Sequence, residues 1–276
     1  MWEASRQLAG QSAADENKAW DRFRQRIGQP EQVSMPQRRW SWWRIAAAAV
    51  LVMAVGLTGY LISREESDPQ QLIVQAVQQV VNDTLPDGST ITLNKHSSVS
   101  YPERFAGDTR SIALKGEAFF HVMPDKSKPF IISVNDVTVT VVGTSFNIKS
   151  EAAGTAVVVE TGIVRVTHGG KTIELKAGEK ILVAAADSLL AKEAVTDQLY
   201  NYYLTKEFVC DNTPLWKLVE VLNEAYDAHI VIGSPALRNL PINTTFYNES
   251  LDQVLEVISL TFDISVSRSG DQIILQ

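Results

Sequence analysis

An uncharged run of 19 residues, 45–63, constrains this chain more than any other feature of its sequence (IAAAAVLVMAVGLTGYLIS). As an α-helix the run would extend about 28 Å, close to the ~30 Å hydrocarbon core of a bilayer. A secretory signal peptide would lie close to the N-terminus, whereas 44 residues precede this run. A buried core helix would give no reason for the Trp and Arg residues that crowd just ahead of it. The sequence therefore predicts an uncleaved transmembrane helix over 44–63.

The charges that flank this helix predict its orientation. Arg38, Arg39 and Arg44 precede it, whereas Arg64 after it is followed at once by Glu65 and further acids. The positive-inside rule puts the basic side in the cytoplasm, so we expect the N-terminus there and the body outside. The expected location is a bacterial inner membrane, crossed once, with a periplasmic C-terminal body.

The body beyond the helix is acidic. Residues 1–44 hold eight Lys or Arg against five Asp or Glu, a net charge of +3, so the rest carries −10 within a total of −7. Such a body repels nucleic acid, and nucleic-acid binding is excluded as a function. The single cysteine, Cys210, cannot form an internal disulfide, and its alternating neighbours predict a buried structural thiol.

Residues 1–43 form the expected cytoplasmic segment, in which 15–27 has the pattern of a short helix. Trp20, Phe23 and Ile27 recur at i, i+3 and i+7 and make one apolar stripe. A short helix cannot bury such a stripe well by itself. The stripe therefore predicts either a partner that receives it in a groove or self-packing in a small helical bundle, and these residues leave both open.

After a polar linker at 64–71 the sequence takes up the period of β-strands. Short alternating runs follow one another, separated by turn residues such as Pro86-Asp87-Gly88, Asn135-Asp136 and Gly169-Gly170. Regularly spaced short strands of this kind are typical of a compact all-β unit. The sequence predicts one all-β domain over 72–186.

A connector at 187–204 leads to a C-terminal region, 205–276, that contains an internal repeat. The segment CDNTPLWKLVEVLNEAYD aligns with FYNESLDQVLEVISLTFD at an offset of 36 residues. Each copy predicts a short strand, an amphipathic helix and a further strand, so the region is expected to be a small α/β domain of two βαβ-like units. Thr213 is expected to cap the first helix, with Pro214 as its first helical residue.

The sequence carries no catalytic signature. Its four histidines lack the spacing of a metal site, and there is no phosphate loop or dinucleotide fingerprint. We therefore expect no enzymatic activity, no cofactor and no metal. A carbohydrate-active enzyme would need two of the acids Glu103, Glu117 and Glu160 held at glycosidase separation in a cleft. Solvated or turn-capping roles fit these acids better.

A series of turn and strand motifs runs through the β region: Leu85-Pro86-Asp87-Gly88-Ser89, Leu93-Asn94, Ser98, Tyr101-Pro102, Gly116-Glu117-Ala118-Phe119-Phe120, Pro129-Phe130, Gly143-Thr144-Ser145-Phe146-Asn147, Gly162, Val164, Val166 and Lys176-Ala177-Gly178-Glu179. In this order they resemble the FecR family of transmembrane anti-sigma factors. The resemblance implies a compact β roll or a short β-helix for the β domain. The C-terminal repeat is similar to the domain that ends Bacteroidetes-type members, which is like the short domain of secretins and TonB-dependent receptors.

The resemblance also implies partners. Family members bind an extracytoplasmic-function sigma factor on the cytoplasmic side and receive a signal from the N-terminal signalling domain of a TonB-dependent outer-membrane receptor on the periplasmic side. On that basis Trp20, Phe23 and Ile27 are the expected sigma-factor-binding residues. The C-terminal domain is the expected receptor contact, by strand addition at an exposed edge, without assigned residues. The family's cytoplasmic domain is usually longer, so 1–43 is expected to be only its last part.

The alternative function is a membrane-anchored periplasmic ligand-binding or scaffold module that does not regulate a sigma factor. It predicts a deep, polar-lined pocket in the β domain.

Overall fold

The computed structural model describes residues 16–27, 42–63, 70–151, 154–184 and 190–276. The chain divides into two compact units, Met1–Glu65 and Glu66–Gln276. The basic flank at Arg38 and Arg39, Arg64 and the linker as far as residue 69 lie outside the described residues.

The first unit contains two described helices, α1 (Glu16–Ile27) and α2 (Trp42–Ser63). Helix α1 matches the segment predicted from the apolar stripe. Helix α2 includes the whole predicted span, as expected for an Ala-rich apolar run without proline. Its window Trp43–Tyr60 is long and apolar enough to cross a membrane, by length and composition, and none of that window is buried within the chain.

The second unit begins with 14 strands in two seven-stranded sheets. The first sheet has, in spatial order, β1 (Gln71–Ala76), β4 (Ser97–Pro102), β5 (Arg110–Lys115), β7 (Phe130–Val134), β8 (Val137–Val141), β11 (Ile163–His168) and β12 (Lys171–Lys176). The second sheet has β14 (Lys192–Ala194), β13 (Glu179–Val183), β10 (Gly154–Thr161), β9 (Ser145–Glu151), β6 (Glu117–His121), β3 (Thr90–Leu93) and β2 (Val81–Thr84). Among these described strands only β5 and β7 pair in parallel. The antiparallel pairing favours a roll of two sheets over the parallel coils of a β-helix.

One apolar core holds these two sheets together. Strand β5 alternates buried and exposed residues along its length, and β8 alternates in the same way, as expected of sheets with one face inward. Phe120 and Phe146 stack in the middle of the core with their ring centroids 5.3 Å apart. The predicted all-β domain is therefore present in the described part of 72–186.

A buried ion pair ties a turn of this domain to its first sheet. Arg110 is 2% exposed, and its Nη1 donates to Asp87 Oδ2 at 2.6 Å. Its Nε donates to the Lys128 carbonyl at 2.9 Å, and its guanidinium lies 5.3 Å from the Phe130 ring centroid. Asp87 also accepts from the Ser89 hydroxyl at 2.7 Å. The Pro-Asp-Gly-Ser turn therefore supplies the counter-ion of a buried arginine.

The C-terminal region contains α4 (Leu215–Tyr226), α5 (Leu251–Phe262) and two further sheets. Strands β15 (Glu207–Pro214) and β17 (Pro241–Tyr247) pair antiparallel with each other. Strands β16 (His229–Ile232) and β18 (Val266–Ser269) flank the final strand β19 (Gln272–Leu275). The two strands of each repeat thus lie in different sheets, so the units are not crossovers within one sheet.

The 36-residue repeat is present in the backbone. Helices α4 and α5 each have 12 residues, and each ends at an aspartate in the left-handed region, Asp227 at φ 51° and Asp263 at φ 52°. Asn212 and Asn248, ahead of the two helices, have φ values of 50° and 49°. Matching left-handed positions at the same offset show that the two copies share a local fold.

The predicted start of α4 is wrong by one residue. Pro214 is extended, with φ −63° and ψ 140°, and the helix begins at Leu215. The physical reason is that β15 continues through Pro214, which pairs with Pro241. The Thr213 side chain does not cap the helix; the Leu215 amide donates instead to the Leu240 carbonyl at 2.9 Å.

The segment expected to be a connector contributes to the folded unit. Residues 190–204 contain β14, a 3₁₀ turn at Leu199–Asn201 and α3 (Tyr202–Thr205). Leu199, Tyr202 and Tyr203 are buried in a second apolar core, together with the inward faces of α4 and α5. This segment therefore packs against the C-terminal region rather than only tethering it.

The buried ion pair predicts an unequal effect of two conservative substitutions. Asp87→Asn leaves Arg110 buried without its counter-ion and should lower the free energy of unfolding by about 3 kcal/mol or more. Glu174→Gln breaks the ion pair with Arg165, in which both side chains are about half exposed. This substitution should change the free energy of unfolding by less than ~1 kcal/mol. Urea unfolding of the purified chain measures both, and equal effects would contradict the role given to Asp87.

Candidate functional site

The predicted stripe on α1 is present as one exposed face. Trp20, Phe23 and Ile27 are each more than half exposed, and the Trp20 and Phe23 rings meet edge to face with centroids 5.5 Å apart. An exposed aromatic pair on a 12-residue helix leaves apolar area in water. The structure thus brings the three residues together on a surface available to a partner, and their assignment to a sigma factor stays a prediction.

The second unit contains a different candidate site, on the outer face of the second sheet. The inner face of that sheet lies in the β core, while part of its outer face, around β6 and β9, is covered by α3, α4 and the chain that leads to them. Phe119 on β6 and Val80 ahead of β2 pack against the second core, which belongs to the C-terminal region. A sheet buried on both faces has to satisfy every polar side chain that it carries there.

Five residues at this covered face form a hydrogen-bonded group, which we call the polar joint: Asn94, Glu117, Asn147, Tyr202 and Tyr203. Asn94 and Asn147 each donate from Nδ2 to one carboxylate oxygen of Glu117, both at 2.8 Å. The Tyr203 hydroxyl donates to Asn147 Oδ1 at 2.6 Å, and Asn94 Nδ2 also reaches the Tyr202 hydroxyl at 3.1 Å. The joint therefore connects the β domain to α3 through a buried carboxyl.

Burial is the main influence on this carboxyl. Glu117 is 5% exposed, and burial raises the pKa of Glu117 from its ordinary value of 4.5 to about 7. Lys149 and the two asparagine amides oppose the effect because they stabilise the charged form. The joint thus contains a carboxyl that takes up or releases a proton close to neutral pH.

The tyrosines of the joint remain protonated donors. Burial raises the pKa of Tyr202 to about 12, and burial also raises the pKa of Tyr203 well above its ordinary value, with the Glu117 charge adding to both shifts. A neutral phenol can donate to Asn147 over the whole physiological range. Among the titratable members of the joint, Glu117 is therefore the one that changes charge near pH 7.

Two ion pairs border the polar joint and reach from the second sheet to α4. Lys149 Nζ lies 2.8 Å from a carboxylate oxygen of Glu224, and Lys95 Nζ lies 2.6 Å from Asp227 Oδ2. Lys95 also donates to the Ala225 carbonyl at 3.2 Å, at the C-terminal end of the helix. A cation at that end is favoured by the helix dipole. These pairs orient α4 on the sheet.

A cleft of about 310 Å³ opens beside the joint. Its walls come from the second sheet on one side and from α4 and the segment before α3 on the other, with Glu117 and Asn147 at its inner end. Trp216 and Tyr200 supply aromatic wall, while Lys180 and Lys217 supply charge. The cleft lies between the β domain and the C-terminal region rather than inside the β core.

The structure changes the interpretation of one acid. Glu103 and Glu160 are exposed, as expected, but Glu117 is buried, and the expectation that it is solvated is wrong. The cause is packing from a remote part of the chain: Tyr202 and Tyr203, 85 and 86 positions after Glu117, are buried against the asparagines that bind it, and strand periodicity cannot reveal this. A local signal did exist, because asparagine is unusual inside a strand and Asn147 lies within β9.

Other candidate residues have structural roles. Cys210 is a free, buried thiol, and burial raises the pKa of Cys210 to about 12, which leaves it unreactive. His121 Nδ1 lies 2.9 Å from the Ser145 hydroxyl on the neighbouring strand. Within the part of the chain that the structure describes, no three His, Cys, Asp or Glu side chains are grouped as metal ligands.

The raised pKa of Glu117 predicts a pH dependence of stability. Between about pH 4.5 and 7 the folded chain keeps a proton that the unfolded chain has released, so the free energy of unfolding should fall with rising pH by about 3 kcal/mol in total. Glu117→Gln should remove this pH dependence of the free energy of unfolding. The glutamine amide would face an asparagine amide that also donates, so stability should be lower at every pH. The measurement is urea unfolding at several pH values. Glu103→Gln, which changes an exposed acid, should keep the slope.

If the free energy of unfolding of Glu117→Gln fell with pH as steeply as that of the unsubstituted chain, the protonation assigned to Glu117 would be wrong.

Comparison with known proteins relates these features to two family models. The model described as FecR protein matches residues 71–165, and the model described as FecR, C-terminal matches residues 207–275. The first range contains Asn94, Glu117 and Asn147 of the polar joint, and the second contains both repeats. A search of curated protein sequences found no match.

Two solved structures also match this chain. Crystal structures at 1.65 and 2.50 Å resolution, both of a candidate anti-sigma factor from Parabacteroides distasonis, are 30% identical to this chain with a TM-score of 0.63. They cover 74% and 75% of this chain, and in each case 98% of the solved chain is covered. The match therefore spans nearly the full length of those crystallised proteins.

Proposed function

We propose a function for this chain from one premise: it belongs to the FecR family. The family and its structural neighbour support the role of an anti-sigma factor, a regulatory rather than an enzymatic protein. We infer that the chain is anchored in the bacterial inner membrane by α2, with α1 in the cytoplasm and Glu66–Gln276 in the periplasm. It would hold an extracytoplasmic-function sigma factor inside and receive a signal outside from the N-terminal signalling domain of a TonB-dependent receptor.

The order of parts along the chain carries this proposal. An amphipathic helix with exposed aromatics comes first, an apolar helix long enough for a bilayer follows, and the two FecR regions come last. This order suits a protein that must contact partners in two compartments, because only the apolar helix needs to cross. It supports sigma-factor regulation more than a soluble binding role.

Sigma-factor binding is assigned to the stripe on α1. Trp20, Phe23 and Ile27 give the kind of i, i+3, i+7 anchor set that an amphipathic helix inserts into a partner's apolar groove. Arg24 and Arg26 in the last turn add positive charge beside it. Aromatic anchors of this kind commonly dominate the free energy of an interface.

The stripe predicts a selective loss of binding. Trp20→Ala with Phe23→Ala should weaken capture of the cognate extracytoplasmic-function sigma factor by more than about tenfold, because both anchors are removed. Gln25→Ala with Lys18→Gln, on the opposite side of the same helix, should retain capture within about threefold. Co-purification from cells that express the full chain measures both. Equal retention in the two double variants would exclude the stripe as the sigma-binding surface.

The anchor predicts the side of the membrane on which each end lies. A fluorescent protein fused to the N-terminus should be active, because the cytoplasm lets it fold, and alkaline phosphatase fused after Gln276 should be active, because it needs the periplasm. The reciprocal fusions serve as controls and should be inactive. If the same reporter were active at both ends of the chain, or if the chain were released from washed membranes, the proposed topology would be wrong.

A second function has one observation in its favour. The cleft beside the polar joint, lined by Trp216, Tyr200 and several charged side chains, is large enough for a small ligand. A membrane-anchored ligand-binding module would use it without any effect on transcription. Deletion of the gene separates the two functions, since an anti-sigma factor changes transcription from promoters of its sigma factor and a ligand-binding module does not.

A further inference from the structure

The two helices of the repeat are used differently by the chain. Helix α4 lies on the outer face of the second sheet, held by Lys149 to Glu224 and by Lys95 to Asp227. Val221 on the same helix is 8% exposed and lines the cleft against that sheet. The chain itself thus shows what covers this face of the first repeat: the outer face of a β-sheet with Lys149, and Lys95 in the turn after strand β3.

The corresponding face of α5 is exposed. At the 36-residue offset, Val257 corresponds to Val221 and Leu260 corresponds to Glu224. Val257 is 40% exposed and Leu260 is 77% exposed. The opposite side of the helix, with Val254 and Ile258, is fully buried in the second core, so this apolar exposure is confined to one face.

The aspartate that accepts a lysine at the C-terminal end of α4 has a counterpart at the C-terminal end of α5. In the first repeat, Lys95 contacts both the Ala225 carbonyl and the Asp227 carboxylate. In the second repeat, Asp263 has the same backbone conformation and the same helix-end position, and it is exposed. A helix end that carries an aspartate favours a cation, since the dipole and the carboxylate act together.

We propose that the exposed face of α5, made by Glu256, Val257, Leu260 and Asp263, docks the β-sheet face of the receptor's signalling domain. The partner sheet would present an apolar patch to Val257 and Leu260, and a lysine or arginine beside that patch would face Asp263, as Lys95 in the turn after β3 faces Asp227. This inference rests on the proposed function, which supplies the receptor as partner. It assigns the contact to a helix face instead of to the strand edges expected from the sequence.

A second copy of the chain fits this face less well. Part of the second sheet of any copy is already occupied by its own α4. The middle strands of the first sheet are mainly polar on their outer face, with Ser98, Ser100, Ser111, Thr138 and Thr140 alternating with core residues. The most exposed apolar side chains of that face, Ile73 and Ile163, lie towards opposite edges of the sheet and make no continuous patch for Leu260.

The test measures binding of the purified signalling domain of the cognate TonB-dependent receptor to the full chain in detergent. Leu260→Arg should weaken binding by at least about tenfold, because a charge would replace an apolar contact at the centre of the interface. Val257→Glu should do the same at a second position. Ile163→Arg, at an apolar site on β11 whose 50% exposure lies between those of Val257 and Leu260, should bind within about twofold of the unsubstituted chain.

A charge reversal tests the helix end. Asp263→Lys should weaken binding, and a Lys→Glu or Arg→Glu change at the facing position of the signalling domain should restore it. Such a restoration requires direct contact and would not follow from a change in folding.

The outcomes separate the inference from the proposed function. If the unsubstituted chain does not bind the signalling domain, the receptor relay itself is wrong. If it binds and Leu260→Arg and Val257→Glu bind equally well, the relay stands and the α5 face is overturned as the docking surface. If Leu260→Arg instead abolishes a dimer of the full chain measured by light scattering, the face belongs to a second copy and the inference is overturned.

Discussion

Burial of the middle of the second sheet on both sides is the constraint on which the rest of the second unit depends. One side joins the β core, and on the other side the Glu117 carboxyl needs donors once water is removed. Asn94 and Asn147 supply those donors; Asn147 accepts from the Tyr203 hydroxyl, and Asn94 also donates to the Tyr202 hydroxyl. The segment that packs into the C-terminal core therefore holds in place the two asparagines that bind Glu117.

Ion pairs and buried hydrogen bonds have different roles where α3 and α4 meet the second sheet. The polar joint is buried, although Glu117 and Asn147 border the cleft, so its hydrogen bonds are strong but costly to leave incomplete. The pairs of Lys95 and Lys149 with α4 lie nearer to solvent, where each contributes little stability and mainly fixes orientation.

The sequence predicted those features that depend on local pattern. Apolar alternation predicted the β domain, the uncharged run predicted α2, and the 36-residue repeat predicted both C-terminal helices. Each of these patterns lies within a single element or is repeated in its copy. The joint was missed because its members are remote from one another: the donors to Glu117 lie just after β3 and within β9, the hydroxyls that bind those donors lie in α3, and no period connects these. The start of α4 was missed for a related reason, since pairing of Pro214 with Pro241 decided where β15 ends.

Strand β1 has a mechanical consequence for the unit that it begins. It is an edge strand, paired only with β4 through six residues, and among its side chains only Ala76 is fully buried. A load applied to the backbone ahead of Gln71 would therefore fall on a single short ladder, which could peel away while the stacked phenylalanines and the buried arginine stayed in place. Peeling would leave an extended, accessible stretch of backbone at the point where the chain enters its folded body.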